Sequence, residues 1–282
     1  TLFARHAENA SAPVALVATG GYGRRELFPY SDIDLIFLYD PKAKKEAARL
    51  AESVLYALWD LGLKIGHAHM SIVEAIDAAK ADMTIRTSLL DARRVAGAQG
   101  VFARFKKRFA AEVVSGSEVA FIDAKLAERD RRHERFGASR YMLEPNVKEG
   151  KGGLRDVHTL WWLARVAYPI SSLKDLVKMG HLTQAEYDAC AQAHRFLCNV
   201  RIHLHYLAGA GEDRLSFDYQ PHVAAAMGFR HREPHRAILR FMRRYFAAVR
   251  TVGAATRIFC ALLEEEKKRS PQPALAWMWY NP

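Results

Sequence analysis

The chain has 282 residues, half of them hydrophobic and 26% charged, a globular balance with no uninterrupted apolar run of the roughly 18–20 residues that a membrane span needs. Its three cysteines, Cys190, Cys198 and Cys260, are odd in number and lack C-x-x-C spacing, which argues against a disulfide framework and a thiolate zinc site. Lys and Arg number 42 against 31 Asp and Glu, and the net charge of +11 points to an anionic partner: nucleotide, nucleic acid or an acidic protein surface.

Thr1–His6 lacks the basic start and apolar run of a signal peptide and begins without Met, so the expectation is a cytoplasmic protein cut from a longer one. Val14–Ala18 is a short apolar run ending at Gly20-Gly21, as a buried strand would, and Ile33–Tyr39 is a second, closed by Asp40-Pro41. Apolar residues at Ala48, Ala51, Val54, Leu55, Leu58 and Trp59 predict a helix from Lys45 to Leu61, stopped by Gly62. Lys64–Met70 reads as a third strand, and Ser71-Ile-Val-Glu74 fits a capping box opening a helix towards Lys80.

Beyond Gly100 the strand signal fades. Val101–Val113, Glu118–Phe136, Val157–Val166, Thr183–Leu207 and Pro234–Lys268 read as helices, with a Gly-rich loop at Asn146–Gly153. The expected architecture is α+β: a small mixed sheet with helices over residues 1–117, then an all-α domain over 118–282. Ser270-Pro-Gln-Pro273 reads as a linker, and Trp277 and Trp279 as residues for docking on a neighbour.

The chemistry concentrates in Gly20-Gly-Tyr-Gly-Arg-Arg-Glu-Leu-Phe-Pro-Tyr-Ser-Asp-Ile-Asp34. Asp32 and Asp34 stand at i and i+2 at the head of a strand, so both carboxylates project from one face. Their mutual repulsion is relieved by a divalent cation, and hard oxygen ligands without a His-Cys cluster favour Mg²⁺. Gly20 and Gly21 allow backbone N–H groups close to a phosphate, Ser31 adds a hydroxyl, and Arg24 or Arg25 counters phosphate charge. Other phosphate motifs fail: Glu26 stands where the dinucleotide fingerprint wants Gly or Ala, and no G-x-x-x-x-G-K-[ST] occurs.

A Gly-Gly turn followed by D-x-D resembles the DNA polymerase β-like nucleotidyltransferase superfamily. Within it, Gly20–Leu35, Trp59–His67, Glu144–His158, Leu207–Gly209 with Glu212–Leu215, and Arg240–Tyr245 resemble the bifunctional uridylyltransferase and uridylyl-removing family that modifies the PII nitrogen-signalling protein. The resemblance implies UTP as donor, a tyrosine hydroxyl of PII as acceptor and pyrophosphate as leaving group. It also implies an HD phosphohydrolase domain and two ACT domains beyond this stretch; none of the 12 histidines is followed by Asp. Arg25 departs from the family pattern, where Gly is common, and Met70 stands where the family usually carries Arg.

Superfamily members use a third carboxylate on a neighbouring strand. By resemblance to a D-x-R strand the candidate in Leu89–Val95 is Asp91, whose alternative is a cap or local pair with Arg93 or Arg94. In the glycine loop Lys148, Lys151 and Arg155 are placed to reach triphosphate or base, Asn146, Lys148 and Arg155 fit scaffolding equally, Asp156 fits a helix cap, and His158 a core position. Rival functions keep the fold and change the acceptor (glutamine synthetase adenylylation, a small molecule or an RNA end), or leave a degenerate nucleotide-binding regulatory domain. A nucleic-acid binder is disfavoured, because the arginines are dispersed and no aromatic-basic platform is evident.

Overall fold

The computed structural model describes residues 13–137 and 139–269. The segments carrying Thr1–His6, Ser270–Pro273, Trp277 and Trp279 lie outside the described residues. The chain folds as two compact units, one ending at Ser117 and the next beginning at Glu118.

The first unit is built on a four-stranded sheet of order β3-β2-β1-β4. Strands β1 (Val14–Ala18) and β2 (Ile33–Tyr39) pair antiparallel, Val14 with Tyr39 through Ala18 with Leu35. Every residue of β1 is buried, which is why the run is apolar without alternation. One helical turn, α1 (Gly20–Gly23), leaves β1. After β2, a 3₁₀ turn at Pro41–Ala43 leads into α2 (Lys44–Trp59). Ala47, Leu50, Ala51, Val54 and Leu55 of α2 pack on Val14, Leu16, Leu35, Phe37 and Tyr39 of the sheet. That crossover lets β3 (Ile65–Ser71) return parallel to β2.

Helix α3 (Ile72–Ala81) opens on the expected capping box: the Glu74 N–H donates to Ser71 Oγ at 3.2 Å, and the Ser71 N–H to Glu74 Oε2 at 2.6 Å. Next, α4 (Met83–Leu90) is capped by Asp82, which accepts from the N–H groups of Thr84 and Ile85. Strand β4 (Arg93–Gly97) pairs antiparallel with β1 across a bulge at Leu16/Val17, and α5 (Gln99–Phe109) runs into a π turn at Ala110–Val114. The strand expected over Leu89–Val95 is thus helix up to Leu90 and strand only from Arg93.

The second unit is helical: α6 (Glu118–Arg135), α7 (Leu154–Ala167), α8 (Asp175–Lys178), α9 (Gln184–Ala208), α10 (Tyr219–Ala226) and α11 (Pro234–Arg269). A second capping box, Thr183 with Glu186, opens α9. Pro234–Glu266 of α11 is long and apolar enough to cross a membrane by length and composition, with half of its most apolar window buried. Phe241, Tyr245, Val249, Val252 and Phe259 are buried along it, the pattern of a core helix. Together the units make the α+β architecture that the sequence implied.

Candidate active site

Asp32 precedes β2 and Asp34 is its second residue, so both side chains fall on the face opposite Ile33, Leu35 and Phe37, which pack against α2. The register sets Asp34 opposite Gly66 of β3, and the Thr19 N–H donates to the Asp34 carbonyl at 3.1 Å. Two glycines flank the carboxylate. A Cβ at Gly20, whose φ is +55°, would stand 2.8 Å from Asp34 Oδ2, and one at Gly66 would stand 2.6 Å from Oδ1. Neither position tolerates a side chain with the carboxylate where it is.

Burial, and then the charge of Asp32, raises the Asp34 pKa, with Arg24 pulling the other way. A half-buried carboxylate destabilised by a like charge is a site that a hard cation would stabilise. The donor set, two carboxylates with exposed Asp32 open to solvent, fits Mg²⁺.

Asp91 does not take the expected place beside them. It caps the C-terminus of α4 with φ −81° and ψ 0°, and the strand that follows pairs with β1 rather than β2. Its side chain is fully buried and accepts from Arg24 Nη1 at 2.5 Å. The alternative of a pair with Arg93 or Arg94 is not what the fold makes either: Arg93 donates to the backbone carbonyls of Tyr22 (2.7 Å) and Gly23 (3.2 Å), and Arg94 to the Gly97 carbonyl. Asp91 is therefore the counter-ion of Arg24, and Arg93 clamps the α1 turn from below.

Gly20 and Gly21 begin α1, so their N–H groups have no preceding helical carbonyl to bond. Arg24 follows the turn, 12% exposed, held by Asp91 and, at 3.4 Å, by Glu26. Ser31 lies on the loop into β2, where its N–H donates to the Phe28 carbonyl. On β3, Gly66, Ala68 and Met70 share the Asp34 face, so that strand offers no third carboxylate there. What the sequence reading missed is the place of Gly66 against Asp34 and the hold of Arg93 on the α1 turn.

Asn146, Lys148 and Arg155 belong to the second unit, and their side chains have local partners. Asn146 Oδ1 accepts from the N–H groups of Lys148 (3.1 Å) and Glu149 (2.6 Å), folding the loop as an Asx turn. Lys148 Nζ sits 3.8 Å from Glu149 and 3.9 Å from Asp213; burial, foremost, and the Arg155 charge lower its pKa. Arg155 donates to Glu149 Oε1 at 3.0 Å and lies over the Trp162 ring. Asp156, expected as a helix cap, is a buried hub: it accepts from Arg132, from the Gly152 N–H at 2.7 Å, and faces His133 Nε2 at 2.9 Å. His158 is buried beside Trp162.

The family model described as GlnD PII-uridylyltransferase matches residues 120–260, half of the chain and all within the second unit. The chain belongs to the GlnD PII-uridylyltransferase family. Curated relatives extend the similarity to the first unit. The chain is 49% identical over 93% of its length to a bifunctional uridylyltransferase/uridylyl-removing enzyme of Rhodospirillum rubrum, and 49% identical over 91% to that of Azospirillum brasilense. With the enzyme of the same name from Caulobacter vibrioides the identity is 50% over 90%. The chain spans 27–28% of the length of these relatives. Family membership thus rests on both units: the glycine loop falls inside the model match, and the D-x-D site inside the longer alignments.

Proposed function

We propose that the chain is a nucleotidyltransferase unit that moves UMP from UTP to a tyrosine hydroxyl of a PII-type signalling protein and releases pyrophosphate, in the cytoplasm. The observation that carries this reading is the Asp34 carboxylate, seated between Gly20 and Gly66 with Asp32 repelling it. Mg²⁺ held by Asp32 and Asp34 would stabilise charge on the attacking and leaving oxygens at the α-phosphate. The chain's own share is positioning. The α1 turn presents the N–H groups of Gly20 and Gly21, Arg93 fixes that turn, and Asp91 holds Arg24 in a place from which its charge reaches Asp34.

Incubation with [α-³²P]UTP, Mg²⁺ and a PII protein tests the reading. Label on PII that disappears with EDTA and in the Asp32→Asn/Asp34→Asn variant is expected. Label from ATP but not UTP, or equal labelling by the double variant, would reject it.

One observation favours a second reading, a unit that binds nucleotide without transferring it. Asp91 is engaged by Arg24, and no third carboxylate stands on β3 beside Asp34. Saturable UTP binding with no transfer to any acceptor would select that reading.

A further inference from the structure

We propose that the helical unit contains an anion site of its own, a cavity of about 310 Å³ that binds a phosphate or diphosphate group. It is assembled from α6, the segment before the glycine loop, that loop, and α11. The volume sits at the lower end of the range of roughly 300–1,000 Å³ usual for ligand pockets. The inference stands on this unit alone and does not rest on the transferase reading.

Three cations from separate segments, Arg140, Lys151 and Arg257, line the cavity. Among the described residues none of the three has a carboxylate partner, and the Arg140 Nε is buried without any hydrogen-bond acceptor. A buried guanidinium N–H with no acceptor is costly to leave unpaired, and a bound oxyanion would satisfy it. Arg140 is also held in place: a Cβ on Gly253 of α11 would lie 2.6 Å from its Nε, so the guanidinium packs directly on that helix.

The acidic residues at the cavity do not cancel these charges. Asp156 is already engaged by Arg132 and His133, and Asp130 by Arg129. Arg129 also donates to Cys260 Sγ at 3.0 Å; burial, foremost, pushes that thiol up to about 11, so it stays neutral. Only the exposed Glu264 remains against Arg140, Lys151 and Arg257. No Phe, Tyr or Trp lines the cavity, and its one imidazole, His133, is engaged by Asp156. Guanidinium and ammonium groups converging on one cavity, one of them held against α11, favour phosphate oxygens.

The phosphate could come from the tail of a nucleotide or from free pyrophosphate, and the test separates them. Isothermal titration of the 282-residue chain with pyrophosphate, UTP or uridine, in EDTA and without added phosphate, excludes any site that needs a divalent cation. Saturable pyrophosphate binding is expected, with uridine silent. Lys151→Gln and Arg257→Gln should each weaken it at least tenfold with circular dichroism unchanged, while Asp34→Asn binds like the parent. UTP binding tenfold tighter than pyrophosphate would assign the site to a nucleotide tail, and equal affinities to free pyrophosphate; either supports it. Should the Lys151 variant misfold, exposed Arg257 alone decides. No saturable pyrophosphate binding by the folded parent, or affinity unchanged in Arg257→Gln, overturns the proposal.

Discussion

Arg24 and Asp91, 67 residues apart, form a 2.5 Å ion pair in which the carboxylate is fully buried and the guanidinium 12% exposed. The pair joins the end of the α1 turn to the end of α4, so it ties that turn to the outer part of the sheet. Removing one partner of a buried pair leaves the other charge without compensation. Asp91→Asn is therefore expected to cost about 3–5 kcal/mol of stability in urea denaturation, whereas Arg24→Met with Asp91→Leu should recover most of that loss. A metal ligand would behave differently: Asp91→Asn would leave the urea midpoint unchanged and abolish turnover.

Gly66 has a sharper role than its place in an ordinary strand suggests. In Gly66→Ala the new methyl would displace the Asp34 carboxylate, because it would lie 2.6 Å from Oδ1. Uridylyl transfer should fall at least tenfold and the Mg²⁺ concentration for half-maximal rate should rise, with helix content intact. Since burial, foremost, raises the Asp34 pKa, Mg²⁺ activation should also weaken on acidification, and at a higher pH than an ordinary carboxylate would give. A Gly66→Ala protein with parental Mg²⁺ dependence would remove Asp34 from the metal site.

Arg25 adopts φ +64°, a left-handed conformation that costs a non-glycine residue roughly 1–2 kcal/mol. The family pattern commonly has Gly there, and Arg25→Gly is expected to raise the thermal midpoint. The gain should be about 1 kcal/mol, because glycine also loosens the unfolded chain. A lower midpoint would mean that the Arg25 side chain contributes more than its backbone costs.

Asp213 makes the helical unit acid-sensitive. Burial raises its pKa, but His205 at 3.3 Å, Arg201 at 2.6 Å and the Lys148 charge outweigh it and bring the carboxyl down to about 2. A depressed folded-state pKa contributes stability above the unfolded value and loses it as pH falls through the folded one. Stability is expected to be level between pH 7 and 5 in this respect and to drop by about 2 kcal/mol between pH 4 and 2. In Asp213→Asn that step should be missing from the acid limb of the urea-midpoint profile.

Much of the framework was legible along the chain. Val14–Ala18 and Ile33–Tyr39 stand out because a strand buried in a sheet must be apolar and must be closed by turn residues. The Ser71 and Thr183 capping boxes are local chemistry, so three-residue spacing is enough to find them. Helix α4 was not legible, since its buried residues Arg86, Thr87, Leu89 and Leu90 form no clear apolar stripe. Asp156 read as a cap, because nothing near it in sequence reveals that Arg132 and His133 of α6 converge on it.

The sequence by itself determined which groups are available and which of them are neighbours: the Gly-Gly turn, the Asp32/Asp34 pair on one strand face, and the loop of Asn146–Gly153. Such features depend on the pitch of a strand or the geometry of a turn, and those are the same in every fold. Only the tertiary structure decided what each charge does. Asp34 is seated between two glycines because parallel pairing put Gly66 against it, while Asp91 became a counter-ion because β4 joined the far side of β1 and brought Arg24 within 2.5 Å. A carboxylate's role follows from the cation or the space within about 3 Å of it, and strand order, not local sequence, sets that neighbour.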